Sequence, residues 1–234
     1  MWTAGVVVNP PKFETAKAQL ALNEAAIKPL GEVIRAHGLG NKVSVSLLHK
    51  HFNLYEDELL VRNFENNALE IKPESGTGHR TLPYMWSFSK LRAEDDLSVY
   101  PVEFIGKKDE TAEYANIADS VLENEAFLKD FSAKLKELHV ENTFGLSLIP
   151  HGLFQIPAKH TLFETDDISN RRLNISMKPL DEIEAIETTR TLFMFPTEES
   201  LELEDMSVEC GVHCGVHCGI HCGVHCGIHC GIHF

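Results

Sequence analysis

Leu39-Gly40-Asn41-Lys42-Val43-Ser44-Val45-Ser46-Leu47-Leu48 returns later in the chain as Val140-Glu141-Asn142-Thr143-Phe144-Gly145-Leu146-Ser147-Leu148-Ile149. Leu39, Asn41, Ser46, Leu47 and Leu48 match Val140, Asn142, Ser147, Leu148 and Ile149 at one constant offset. Both segments read as strands, over residues 42–48 and 143–149, and each follows a helical pattern. Residues 29–37 form a short helix opened by Pro29 and closed before Gly38. Residues 119–139 form an amphipathic helix in which Ser120 and Glu123 fit a capping box, with Leu128, Phe131, Leu135 and Leu138 at helical spacing.

Working outward, residues 58–63 and 68–72 form a hairpin around Asn66-Asn67, followed by an aromatic strand over residues 84–88 whose Trp86 and Phe88 fill the core. In the second half, residues 162–164, 173–177 and 189–195 take the corresponding parts, and residues 98–105 add a strand near the join. The predicted class is α+β: antiparallel sheets with packed helices, in two pseudo-symmetric halves near residues 1–97 and 98–196, followed by a Cys/His repeat tail. An acidic linker over residues 197–209 carries Glu198, Glu199, Glu202, Glu204, Asp205 and Glu209. Because residues 1–196 lack cysteine and have a core of their own, they are expected to fold without the linker and tail.

The chain has 234 residues, 43% of them hydrophobic, and a formal net charge of -14. That length supports one substantial domain plus a tail, and no apolar run is long enough to cross a bilayer. The negative charge argues against nucleic acid and anionic lipid and points to cations as partners. Met1-Trp2-Thr3-Ala4 followed by Val6-Val7-Val8 and Pro10-Pro11 does not resemble a secretory signal, so a reducing cytoplasmic setting is expected. There, cysteines serve metal binding or catalysis more often than disulfides, and Asn174-Ile175-Ser176 reads as strand rather than as a glycosylation acceptor.

All six cysteines lie in six consecutive C-G-[VI]-H cassettes. The ligand pairs are Cys210 and His213, Cys214 and His217, Cys218 and His221, Cys222 and His225, Cys226 and His229, and Cys230 and His233. Thiolate and imidazole are the side chains for soft and borderline metals, and a Cys-x2-His step has the reach of a zinc clip. As a helix the repeat would advance its ligands by about 40° per cassette, smearing the sulfurs round the cylinder. Each cassette is better read as one turn, with glycine after cysteine letting the backbone wrap an ion. Three tetrahedral zinc ions, or a larger number of thiolate-bridged copper(I) ions, would use all twelve ligands. The dense thiolate array favours copper(I), with zinc as the alternative.

Leu47-Leu48-His49-Lys50-His51-Phe52 with Glu56-Asp57-Glu58 behind it, Tyr100-Pro101-Val102-Glu103-Phe104, and Phe144-Gly145-Leu146-Ser147-Leu148 resemble blocks of a set of uncharacterised fungal proteins, some with Cys- or His-bearing tails. The resemblance covers most of residues 42–149. It implies a cytosolic fungal origin and lends no catalytic residues.

Within the globular part, His49 and His51 stand two apart at a strand end and can face one side, chelating an ion with a carboxylate such as Glu56 or Asp57. His37, His79, His139, His151 and His160 carry less. No glycine-rich phosphate loop, G-x-S-x-G elbow or H-E-x-x-H segment is present. Three functions fit these features: a multinuclear metal-binding protein that stores, buffers or detoxifies copper(I) or zinc; a metal-dependent enzyme or delivery factor whose tail gathers ions for a site in the domain; and a precursor whose repeats are covalently modified or cross-linked.

Overall fold

The computed structural model describes residues 10–65, 68–75, 82–89, 97–149, 159–183, 187–196 and 208–211. The expected tail ligands His213, Cys214, His217, Cys218, His221, Cys222, His225, Cys226, His229, Cys230 and His233, most of the acidic linker, His79 and His151 lie outside the described residues, and Cys210 is described at its backbone. The class is mixed α+β, as expected. Helices α1 (Phe13–Asn23) and α2 (Ile27–Ala36) precede β1 (Val43–Leu47), β2 (Glu58–Glu65), β3 (Ala68–Ser75), β4 (Leu82–Ser89) and β5 (Ser98–Ile105). Next come α3 (Ala112–Leu122), α4 (Glu125–Glu137), β6 (Phe144–Leu148), β7 (His160–Asp167), β8 (Arg172–Pro179), α5 (Leu180–Ile183), β9 (Thr188–Phe193) and β10 (Val208–Gly211).

One sheet contains all ten described strands and curls into a closed barrel in the order β1-β6-β4-β5-β2-β3-β8-β7-β10-β9, with β9 returning to β1. Most pairings are antiparallel, as expected, but β2 with β5 and β7 with β10 are parallel. β10 carries the ladder past the boundary drawn at Cys210, bridging β7 on one side and β9 on the other.

The two helix-to-strand junctions close with the same hydrogen bonds. Gly38 takes a positive φ of 67°, so that Leu39 N–H reaches back to the Ile34 carbonyl and Val43 N–H to the Leu39 carbonyl. His139 takes the same left-handed place at φ 56°, with Val140 N–H donating to Leu135 and Phe144 N–H to Val140. Here His139 is a turn residue rather than a ligand.

Helix bounds differ from the sequence reading where local chemistry decides. Residues 119–139 are not one helix: Asn124 interrupts them and caps α4, its side chain accepting from Phe127 N–H at 3.0 Å. Ser120 instead lies inside α3 and donates to the Ile117 carbonyl, so the expected capping box is absent. Pro29 stands two residues inside α2, where its missing N–H is still one of the helix's orphan donors.

β1 and β6 are buried along their whole length because both of their faces are covered. Val43, Val45, Leu47, Leu146 and Leu148 join Leu30, Ile34, Phe131 and Leu135 of the helices in one core, which also takes Trp86 and Phe88 as expected. A second apolar cluster of Leu69, Ile71, Leu162, Leu173, Ile175 and Leu192 is separate from it and faces the barrel interior. Between β1 and β6 the alternate positions are Ser44, Ser46, Gly145 and Ser147. Ser147 Oγ lies 2.9 Å from Ser44 Oγ and 2.6 Å from Ser46 Oγ, so these buried hydroxyls satisfy one another. No helix among the described residues is long and apolar enough to cross a membrane.

Candidate metal centre

The barrel encloses a cavity of about 540 Å³, lined in part by His49, His51, Arg62, Tyr84, Glu103 and Glu164. The two histidines leave the end of β1, as the sequence spacing anticipates, and their rings meet edge to face at 5.0 Å. Their carboxylate partner is neither Glu56 nor Asp57. β7 runs through Leu162, Glu164 and Asp166 at alternate positions, which turns all three to the same face. His49, His51 and Glu164 then bring one ligand atom each within 4.8 Å of one another.

His49 Nδ1 lies 2.9 Å from the Leu47 carbonyl, which can only accept, so Nδ1 carries the hydrogen and Nε2 keeps its lone pair. Burial lowers the His49 pKa below its ordinary value; Glu164 opposes that fall and His51 adds to it, leaving the ring neutral near pH 7. Nε2 faces Glu164 Oε2 at 3.9 Å. That carboxylate oxygen is buried and has no hydrogen-bond partner, a costly state that a cation or donor would relieve. His51 is oriented in the same manner as His49, through Nδ1, which lies 3.3 Å from Asp166 Oδ2.

Other elements hold the site in place. Phe13, the first residue of α1, meets the His49 ring edge-on at 5.3 Å and stacks on His51 at 5.6 Å. Its own backbone N–H donates to Lys50, whose N–H donates to Pro11, so the chain before α1 is stitched to the histidine segment. Beyond His51, Arg171 grips Glu58 through two bonds, Nη1 to Oε1 at 2.8 Å and Nη2 to Oε2 at 2.5 Å, and also donates to the Asn53 carbonyl. This ties the loop after β1 to the β7–β8 hairpin.

Deeper in the cavity, Arg62 Nε donates to Glu103 at 2.5 Å, and its guanidinium lies 4.1 Å from the Tyr84 ring centroid. Burial works to lower the Arg62 pKa, but Glu103, Tyr84 and Glu164 outweigh it and the net shift is upward. Burial pushes the Tyr84 phenol up to about 12, against the pull of Arg62. Arg62 thus remains charged and is matched by Glu103, while Glu164 has the neutral His49 beside it.

Chemically, two imidazoles and a carboxylate form a borderline, zinc-type donor set that leaves a position open. Tetrahedral zinc with bonds of about 2.0–2.1 Å separates its ligands by roughly 3.3 Å, so the three side chains need to close by on the order of 1 Å. Asp166 behind His51 and the Leu47 carbonyl behind His49 supply the outer partners that orient metal-binding imidazoles.

The sequence reading missed Glu164, Asp166, Arg62 and Phe13. A signal was present for three of them: Glu164 and Asp166 extend the alternate-residue row of Leu162, and Arg62 interrupts the row of Leu60 and Phe64. Among the other histidines, His37 pairs with Asp130 at 3.0 Å on the outer surface. Comparison with known protein families, with characterised proteins and with solved structures finds no match to this chain.

Proposed function

We propose that this chain is a metal-handling protein in which His49, His51 and Glu164 hold one divalent ion of the zinc type inside the barrel, supplied by the Cys/His tail. The observation that carries the reading is Glu164 Oε2: a buried carboxylate oxygen without a partner, 3.9 Å from an imidazole nitrogen whose lone pair faces it. An ion bound there has three protein ligands and an open position toward the cavity, the arrangement of a Lewis-acid site rather than a closed structural one. Copper(I) prefers thiolate, so the nitrogen–oxygen set suits zinc better.

Two further observations support a link to the tail. In the parallel β7–β10 ladder, Cys210, the first ligand of the first cassette, is the register partner of Glu164. The repeat therefore begins beside the barrel site. The two halves of the barrel also run through corresponding pairings, β2 with β5 parallel and β7 with β10 parallel, which favours an internal duplication. On that reading β10 belongs to the second half as β5 belongs to the first.

Storage of copper(I) or zinc by the tail alone is the second reading, favoured by the six uninterrupted C-G-[VI]-H cassettes. Zinc titration of the full chain and of Glu164→Ala separates them. The barrel reading expects the variant to bind one ion fewer, with the thiolate-linked ions retained. Equal stoichiometry in both proteins leaves the tail as the whole metal site.

A further inference from the structure

The lining of the cavity is divided in a way that the metal site alone does not explain. His49, His51, Glu164, Arg62 and Glu103 belong to its polar part, together with Lys50, Asn53, Tyr84 and Thr191, whereas Leu60, Leu69, Ile71, Leu173 and Ile175 form an aliphatic stretch. The polar residues form one electrostatic neighbourhood, because Glu164 acts on Arg62 and on Tyr84, and Glu103 acts on His49. Nothing on the aliphatic stretch could satisfy a ligand's hydroxyls or amides, and burying one there without a partner is costly. The Ser46 and Ser147 hydroxyls, which also border the cavity, are already bonded to each other at 2.6 Å.

We infer that the metal-loaded barrel binds an apolar monocarboxylate, its head group on the ion beside Arg62 and its hydrocarbon chain against Leu69, Ile71, Leu173 and Ile175. This rests on the proposed metal site and extends it to a ligand class. Charge selects the head group. A divalent ion, Arg62 and Lys50 stand against Glu164, Glu103 and Asp166, which leaves one positive charge at the site. A single carboxylate completes the balance, while a phosphate dianion would leave excess negative charge in a buried site. Arg62 suits the task because Glu103 and the Tyr84 ring hold its guanidinium in place before any ligand arrives. A cavity of about 540 Å³ lies in the range that encloses a small organic ligand.

The test is calorimetric titration of the zinc-loaded full chain with hexanoate, octanoate and decanoate, and with decyl phosphate. Each added methylene should tighten binding about 3- to 4-fold until the cavity is full. Decyl phosphate should bind at least 10-fold more weakly than decanoate, and stripping the metal should weaken decanoate binding by a similar factor. Leu69→Trp, which fills the aliphatic side from β3, should abolish decanoate binding and leave the zinc stoichiometry unchanged. Affinity indifferent to chain length, or equal affinity with and without metal, overturns the inference, and both are read on the unaltered sequence. If Glu164→Ala binds as much zinc as the parent, the metal reading has failed. If it binds one ion fewer and decanoate still does not bind the parent, only the ligand class has failed.

Discussion

His51 and Asp166 meet inside the barrel wall, Nδ1 to Oδ2 at 3.3 Å, on the same strand face that carries Glu164 two residues earlier. A carboxylate in that position fixes the imidazole tautomer and leaves the opposite nitrogen for a ligand. Asp166→Asn should therefore keep the fold but weaken zinc binding at the barrel about 10- to 100-fold, the usual effect of losing an outer partner. Competition with a chromophoric chelator measures it, and an unchanged affinity would remove Asp166 from the site.

β10 is the strand on which the barrel's closure between β7 and β9 depends. A chain ending after Gly211 should keep the parent's thermal stability, whereas one ending after Pro196 should lose more than about 2 kcal/mol, or roughly 4–8 °C in Tm. Thermal melts of the two truncations decide the matter. Equal Tm values would mean that the globular unit ends at 196, as the sequence reading has it.

Gly145 lets β6 approach β4. A Cβ at this position would stand 2.3 Å from the Trp86 carbonyl oxygen and 2.9 Å from Leu48 Cδ2, and the carbonyl belongs to a paired strand. Gly145→Ala should cost about 1–3 kcal/mol in urea denaturation. A neutral result would show that β4 shifts freely at its bulge.

The Glu58–Arg171 pair gives stability a pH dependence of definite sign. Hydrogen bonds from Arg171 lower the Glu58 pKa below its ordinary 4.5. A depressed carboxylate contributes stability that is present above the unfolded value and is lost as pH falls through the folded one. The stability difference between the parent and Glu58→Gln should hold from pH 7 down to about 4.5 and shrink below it. A difference that grows on acidification would reverse the assignment.

Replacing His213, His217, His221, His225, His229 and His233 by Ala should reduce zinc stoichiometry more than copper(I) stoichiometry. Zinc is left with open positions, while sulfur alone can complete two- or three-coordinate copper. Mass spectrometry under native conditions reads both. Equal losses would mean that the imidazoles act in the same way for the two metals.

Much of the architecture was legible locally. The repeated segment ending in Ser46-Leu47-Leu48 and Ser147-Leu148-Ile149 led to β1 and β6, which lie side by side with Ser44 opposite Ser147. β5 over Ser98–Ile105 was legible to the residue, whereas the aromatic strand read over residues 84–88 extends to Leu82–Ser89. The α3–α4 break was less so, because Asn124 works as a cap only once Phe127 N–H is turned toward it. α1 has almost no apolar face of its own and was not recognised; it is held through Phe13 and Ala16, which are buried by their neighbours.

By itself, the sequence determined the strands up to β9, the two helix-to-strand junctions, the Cys/His-rich tail and the pairing of His49 with His51. Each of these depends on residues a few positions apart, whose geometry follows from helix and strand periodicity. Only the tertiary structure decided that the carboxylate is Glu164 rather than Glu56 or Asp57, that Arg62 and Glu103 share its cavity, and that Cys210 lies in register with Glu164. Glu56 and Asp57 are closer to the histidines along the chain. Barrel closure, which no local pattern encodes, brings β7 to the end of β1 and so places the three side chains within 4.8 Å of one another.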